Sequence, residues 1–364
     1  KDESMRKTEK INSYTLLYNI RCIFGKLCSA VCLLSTVLFT ALSFASCVDE
    51  EEYDDTPKGN FEALWKIIDQ RYCFFDYKKQ EYGLDWNAVY AKYSAQVDKT
   101  MTEQQLFEVL GNMLGELRDG HVNMYSSFNS ARYWSWHENY PKNFSDTLER
   151  KYLGTDYNFV SGLKYKKLDD NVGYVRCESF QSAIGNGNLD DMLLFLAPCN
   201  ALIIDVRNNG GGQLTMAERF AARFTNRELL VGYMQHKTGT GHSDFSKLKE
   251  QKLKPSNGIR WQKRVYVLTN RSVYSAANEF VKYMKCCPQV IVIGDKTGGG
   301  AGMPFSSELP NGWSVRFSAC PMYDKDKQST EFGIEPDCNV GLGDADVARG
   351  VDSIIEFARS MAKQ

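Results

Sequence analysis

The stretch Val265–Lys285 reads VYVLTNRSVYSAANEFVKYMK. It opens as an apolar strand, VYVLT, breaks at Asn270 and Arg271, and turns helical from Ser275. From there Ala276, Ala277, Phe280, Val281 and Met284 recur at helical spacing. A strand that feeds a helix through a short turn, with serine at the first helical position, is one way hydrolases present a nucleophile. The helix dipole and unpaired backbone N–H groups favour negative charge there. A serine at that position also serves simply as a helix cap. The rest of the chain has to separate the two.

On both sides of this stretch the pattern is α/β. QVIVIG completes a βαβ unit with VYVLT, and ALIIDVR is the continuous apolar run of a buried parallel strand. After ALIIDVR come NNGGGQ and a helix from Leu214 to Phe224, while LDDMLLFLAP is a helix before it. GLKYKKL and VGYVRCESF pair across a turn at 169–171. LLVGYMQHK is a strand, 237–260 a loop, SSELPNGWSVRFS a hairpin turning at Pro310–Gly312, and Asp344 to Met361 a closing helix. Residues 127–160 read as loops with irregular strand. Their aromatics, Tyr133, Trp134, Trp136 and Tyr140, either pack or line a groove.

Between 60 and 118 the spacing predicts three amphipathic helices, a small bundle beside the core. Asp85 caps the second, and Thr102 with Gln105 makes a capping box for the third. The third runs into LRDGHVNMYS, which puts His121 at a helix-to-strand junction. The other histidines, 137, 236 and 242, read as ordinary surface or core residues.

The formal net charge is -1, so nothing favours nucleic acid. Hydrophobic content of 43% over 364 residues is ample for an enzyme-sized core. Past Cys47 the cysteines are scattered without CxxC spacing, which argues against zinc and against a disulfide scaffold. No metal and no cofactor is expected. The N-terminus reads as targeting sequence: a basic leader, then LCSAVCLLSTVLFTALSFAS, then Cys47 and an acidic run. The apolar run is long enough to span a bilayer. Small residues before Cys47 resemble a bacterial lipobox, in which that cysteine is lipidated. The expected division is therefore 1–46 signal peptide, 47–59 acidic tether, 60–118 helical bundle and 119–364 α/β core. The protein is expected to be exported and held to the outer membrane by its lipid, on the periplasmic side or at the surface.

Two glycine loops remain, Asn208–Gly212 and Thr297–Gly302. Consecutive glycines let backbone N–H groups approach a phosphate or an oxyanion. Neither GxGxxG nor GxxxxGK[ST] is present.

Taken in order, LRDGHV, IIDVRNNGGG, LTNRSVYSAANEF, IGDKTGGGAG and FGIEPD resemble the tail-specific (C-terminal processing) and tricorn-core serine peptidases over about residues 60–360. The resemblance implies an α/β fold, a crotonase-like ββα core with a mostly parallel sheet, and a peptide or protein substrate. It implies that Ser275 is the nucleophile and that N–H groups of Ala276 and of Gly211 or Gly212 form the oxyanion hole. The tail-specific branch uses a lysine as base, but Gly300 stands in its place and Lys296 is out of register. The tricorn-core branch uses a histidine, which matches His121, and an acidic residue, best matched by Glu331, with Glu335 and Asp324 as alternatives. The serine that accompanies that histidine in the tricorn core is Gly120 here. The interval from Ser126 to Leu163 is too short for the PDZ domain of the tail-specific branch. Two functions fit: an exported serine peptidase, or a catalytically inactive lipoprotein that binds peptides or another ligand on the same fold.

Overall fold

The computed structural model describes residues 53–363. The leader, Cys47 and the acidic run through Glu52 lie outside the described residues. Helices α1 (Pro57–Arg71), α2 (Phe75–Tyr82), α3 (Trp86–Ser94) and α4 (Glu103–Gly115) form the N-terminal bundle. Thr56 caps α1 through the Gly59 N–H, with Pro57 at its first turn, so the helix begins inside the segment read as tether. Asp85 caps α3, and Thr102 and Gln105 make a reciprocal capping box on α4. Helix α2 is the element the periodicity missed. It is short, its mean hydropathy is low, and it closes on Gly83 in the left-handed region.

After β1 (Asn123–Tyr125) and β2 (Ser130–Arg132), the presumed loop region contains α5 (Ser135–Glu138) and α6 (Asp146–Leu153). Ser145 caps α6. Strands β3 (Asn158–Val160), β4 (Leu163–Lys167) and β5 (Val172–Cys177) follow, then α7 (Asn186–Leu196), β6 (Ala201–Asp205) and α8 (Leu214–Ala221). Next come β7 (Leu229–Met234) and β8 (Lys249–Leu253), the latter in the segment read as loop. They lead to β9 (Arg264–Thr269), α9 (Ala276–Lys285) and β10 (Val290–Gly294). The chain ends with the hairpin β11 (Gly302–Glu308) and β12 (Ser314–Tyr323), then β13 (Cys338–Asn339), α10 (Asp344–Ala348) and α11 (Ser353–Ala362). The single closing helix is thus two helices, interrupted at Gly350 with its φ of 73°.

One sheet has the order β13-β10-β9-β6-β5-β4-β3, parallel from β13 to β5 and antiparallel beyond. Helices α7, α8 and α9 cover one face through Leu193, Phe220 and Phe280, among others, and α11 covers the other through Ile354, Ile355 and Ala358. That two-sided burial explains the unbroken apolar runs of β6 and β9. The second sheet, β2-β1-β12-β7-β8 with β11 beside β12, is antiparallel. Its alternation is visible along β12: Val315 and Phe317 join Leu64, Leu110 and Leu114 of the bundle, while Arg316 and Ser318 face the opposite way. The cysteines of the described residues are all free.

Candidate active site

Strands β6, β9 and β10 lie side by side in parallel register, with Asp205 opposite Leu268 and Leu268 opposite Ile293. The loops that follow them therefore leave the same edge of the sheet, where α/β folds place their sites. The backbone stitches these loops together. Tyr274 N–H donates to the Asn209 carbonyl (3.0 Å), Ser275 N–H to Gly299 (2.9 Å), and Gly298 N–H to Val273 (2.8 Å).

These bonds hold Ser275 at φ 58°, ψ -125°, in the positive-φ region that a non-glycine residue rarely occupies. Such strain costs on the order of 1–3 kcal/mol and persists where surrounding structure enforces it. Ser275 occupies the cap position of α9 yet makes no capping bond. Its Oγ instead lies 2.9 Å from His121 Nε2. The cap reading is thereby set aside.

His121 is buried, and burial pushes its pKa down to about 4; the charges of Arg316 and Lys78 push the same way, while Asp119 and the Gly302 backbone oppose them. A neutral imidazole at neutral pH follows. Its Nδ1 has no side-chain partner among the described residues, and the Gly302 backbone is the group that approaches the ring there. Asp119, read from the sequence only as a helix breaker, is the carboxylate beside it. Asp119 accepts the His121 backbone N–H (2.8 Å) on one oxygen and the hydroxyls of Ser318 (2.8 Å) and Tyr72 (3.0 Å) on the other. Tyr274 OH approaches it at 3.4 Å.

Glu331 makes no hydrogen bond to His121 among the described residues; its Oε1 accepts from Lys78 Nζ at 3.1 Å and its Oε2 from the Ala301 N–H at 2.9 Å. Burial, with the charge of Asp119, pushes its pKa up to about 8 despite Lys78. The alternatives are farther from the role. Glu335 pairs with Lys296 at the surface (2.9 Å), and Asp324 accepts N–H groups of its own turn from Asp326 and Gln328.

The glycine loop divides its donors. Gly211 N–H is spent internally on Asn209 Oδ1 (2.9 Å), which removes it as an oxyanion donor. Its lack of a side chain still matters, because a Cβ there would meet the Tyr274 carbonyl at 2.7 Å and the Ala276 nitrogen at 2.9 Å. Among the described residues the N–H groups of Gly212 and Ala276 have no acceptor, and Gly212 lines the cleft beside Ser275.

Tyr274 accounts for two departures from the pattern that the resemblance implies. A Cβ on Gly300 would lie 2.5 Å from its ring, so a base lysine has no room there. A Cβ on Gly120 would lie 2.8 Å from its hydroxyl and 2.5 Å from Trp136 Nε1, so a serine beside His121 would have to push both rings aside. Trp136 stacks on Tyr274 with centroids 4.1 Å apart. It lines the cleft of about 420 Å³ together with Trp134 and His137. The aromatic segment thus packs and lines at once. His242 pairs with Asp69 (2.8 Å) and His236 lies 3.3 Å from Cys320 Sγ, both apart from this cleft.

Other motif residues are structural. Arg207 of IIDVR forks to Asp205 and Asp352, tying β6 to the start of α11. Asn278 accepts from Thr297 Oγ1 (2.7 Å), whose oxygen accepts the Ile334 N–H, fixing the second glycine loop. Sequence reasoning missed Asp119, Tyr274, Ser318 and Lys78. The first two adjoin His121 and Ser275 in the chain; Lys78 left no signal.

Known proteins place this fold. The model described as peptidase family S41 matches residues 171–340, and that of the tricorn protease C1 domain matches 53–115. A candidate peptidase from Parabacteroides merdae ATCC 43184 is 51% identical over 85% of this chain and 97% of its own, with a TM-score of 0.81. Mature CPAF complexed with lactacystin shares the fold at 12% identity, over 85% of this chain and 97% of its own (TM-score 0.64). The tricorn protease shares it at 16% identity, over 85% of this chain and 37% of its own (TM-score 0.52). These matches define a serine-type peptidase acting on peptides or proteins. The chain belongs to peptidase family S41.

Proposed function

We propose that the protein is an exported serine endopeptidase or oligopeptidase working through an acyl-enzyme on Ser275, with His121 as general base. The observation that carries this reading is the 2.9 Å contact between His121 Nε2 and a Ser275 Oγ held in a strained, non-capping conformation. Neutral Nε2 accepts the Ser275 hydroxyl proton as Oγ bonds to the substrate carbonyl carbon. The N–H groups of Ala276 and Gly212 receive the negative charge that develops on oxygen; one such donor lowers the barrier by roughly 3–4 kcal/mol. Protonated His121 then gives its proton to the leaving amine, and water, activated in the same way, releases the acyl group. Asp119 positions His121 through its backbone N–H and supplies negative charge near the ring.

One observation favours a binding protein instead: Nδ1 of His121 lacks a hydrogen-bonded carboxylate. A fluorophosphonate probe followed by peptide mapping separates the two. Labelling of Ser275, and loss of peptide hydrolysis in Ser275→Ala and His121→Ala, support the peptidase. Hydrolysis that survives Ser275→Ala rejects it.

The lipobox-like segment supports anchoring at Cys47 to the outer membrane, facing the periplasm or the outside. Incorporation of labelled palmitate that disappears in Cys47→Ser checks the anchor, and protease accessibility on whole cells distinguishes the two sides.

A further inference from the structure

We propose that Arg316 recognises a carboxylate on the substrate, so that the cleft selects peptides bearing one near the bond to be cut. This deepens, and rests on, the peptidase reading above. Arg316 stands on β12 between Asn123 of β1 and Ser306 of β11, its cross-strand partners. Val315 and Phe317 on either side are buried in the bundle core, which turns Arg316 toward the cleft it shares with His121 and Ser275. Three strands therefore fix where this side chain starts.

Among the described residues its guanidinium has no carboxylate, carbonyl or ring partner. Neighbouring arginines differ. Arg132 lies 3.4 Å from the Trp134 ring centroid, Arg271 lies 3.8 Å from that of Tyr140, and Arg207 is held by Asp205 and Asp352. The acidic groups close to the site are already committed: Asp119 to two hydroxyls and a backbone N–H, Glu331 to Lys78 and Ala301. Arg316 is near enough for its charge to disfavour a proton on His121. A fixed positive charge thus faces the substrate space without an internal counter-ion. The guanidinium fork matches a carboxylate through two parallel hydrogen bonds, which a neutral amide cannot reproduce. That carboxylate is either an Asp or Glu side chain or a free C-terminus; the chemistry is the same, and experiment separates the sources.

The test begins with binding, on Ser275→Ala protein, by fluorescence anisotropy of labelled peptides. One set exchanges Glu for Gln along the peptide; another exchanges a free C-terminus for its amide. One carboxylate form should bind roughly ten- to a hundred-fold more tightly than its amide counterpart, in line with hydrogen bonds to charged groups. The set that shows the gain names the source. Adding Arg316→Gln should bring the ratio to about one, and Arg316→Lys, which keeps charge without the fork, should retain part of it. Thermal melts establish that the variants are folded. Equal binding of acids and amides, or a preference that survives Arg316→Gln, overturns the proposal. Failure of Ser275 to react with a fluorophosphonate would count against the catalytic mechanism, while the binding arm still decides the role of Arg316.

Discussion

Lys78 Nζ lies 3.1 Å from Glu331 Oε1 with both side chains closed to solvent, and the pair joins helix α2 to the loop behind Ser275. Glu331 accepts the Gly300 N–H on its backbone carbonyl and the Ala301 N–H on its side chain. Glu331 thereby ties the N-terminal bundle to the second glycine loop.

Glu331 is held near pKa 8, so removing Lys78 leaves a protonated carboxyl buried without its partner rather than a bare charge. Lys78→Met should lower stability by about 1–3 kcal/mol in urea denaturation, the cost of an unsatisfied buried polar group. The double variant Lys78→Met/Glu331→Met should lose less than the two single losses summed. Additivity within about 0.5 kcal/mol would show that the two side chains are not coupled.

The pH dependence carries a clear sign. His121 has a depressed pKa, about 4, so its base form persists well below the ordinary histidine range. The acid limb of kcat/KM for peptide hydrolysis should fall near pH 4 rather than near 6.5. Because unfolding releases His121 to its ordinary pKa, its contribution to stability is lost as pH falls from about 6.5 toward 4. Glu331 works in the opposite sense. Its raised pKa, about 8, costs stability as pH climbs from about 4.5 toward 8, a slope that Glu331→Gln should remove.

Asp119 favours the protonated ring, so Asp119→Asn should move the acid limb of kcat/KM to still lower pH. It should also reduce activity, since the aspartate accepts the backbone N–H of His121. An unmoved limb with lowered activity would assign Asp119 a purely structural part.

Installing a lysine where the tail-specific branch has one should not create a second base. Gly300 has φ 77°, and its Cβ would fall 2.5 Å from the Tyr274 ring. His121→Ala/Gly300→Lys should be as inactive toward peptides as His121→Ala alone, and recovered hydrolysis would refute the steric argument.

Gly211→Ala tests the other loop. Its Cβ would press on the Tyr274 carbonyl and the Ala276 nitrogen. If this displaces the Ala276 donor, kcat should drop by about 10²–10³-fold, the usual cost of losing one oxyanion donor, with a smaller effect on KM. Equal loss in KM alone would place the damage in substrate binding.

Much of this was legible along the chain. The βαβ unit at 265–294, the capped helices α3 and α4 and the β11–β12 hairpin follow from local periodicity, capping residues and turn residues, all short-range properties. Ser275 and His121 were visible because each sits at an element junction within a recognisable motif. Helix α2, strand β8 and the break at Gly350 were not, because short or polar elements carry little periodic signal and take their stability from packing. The charge partners were beyond local reading altogether. Nothing near Lys78 points to Glu331, 253 positions away. Asp119 gathers hydroxyls from Tyr72 and Ser318, and Arg316 is left unpaired, only once three segments converge. Local spacing specifies which elements form, because backbone geometry and side-chain period act over a few residues. Which buried charges meet, and which one is left facing the cleft, depends on the desolvation and contact that folding alone creates.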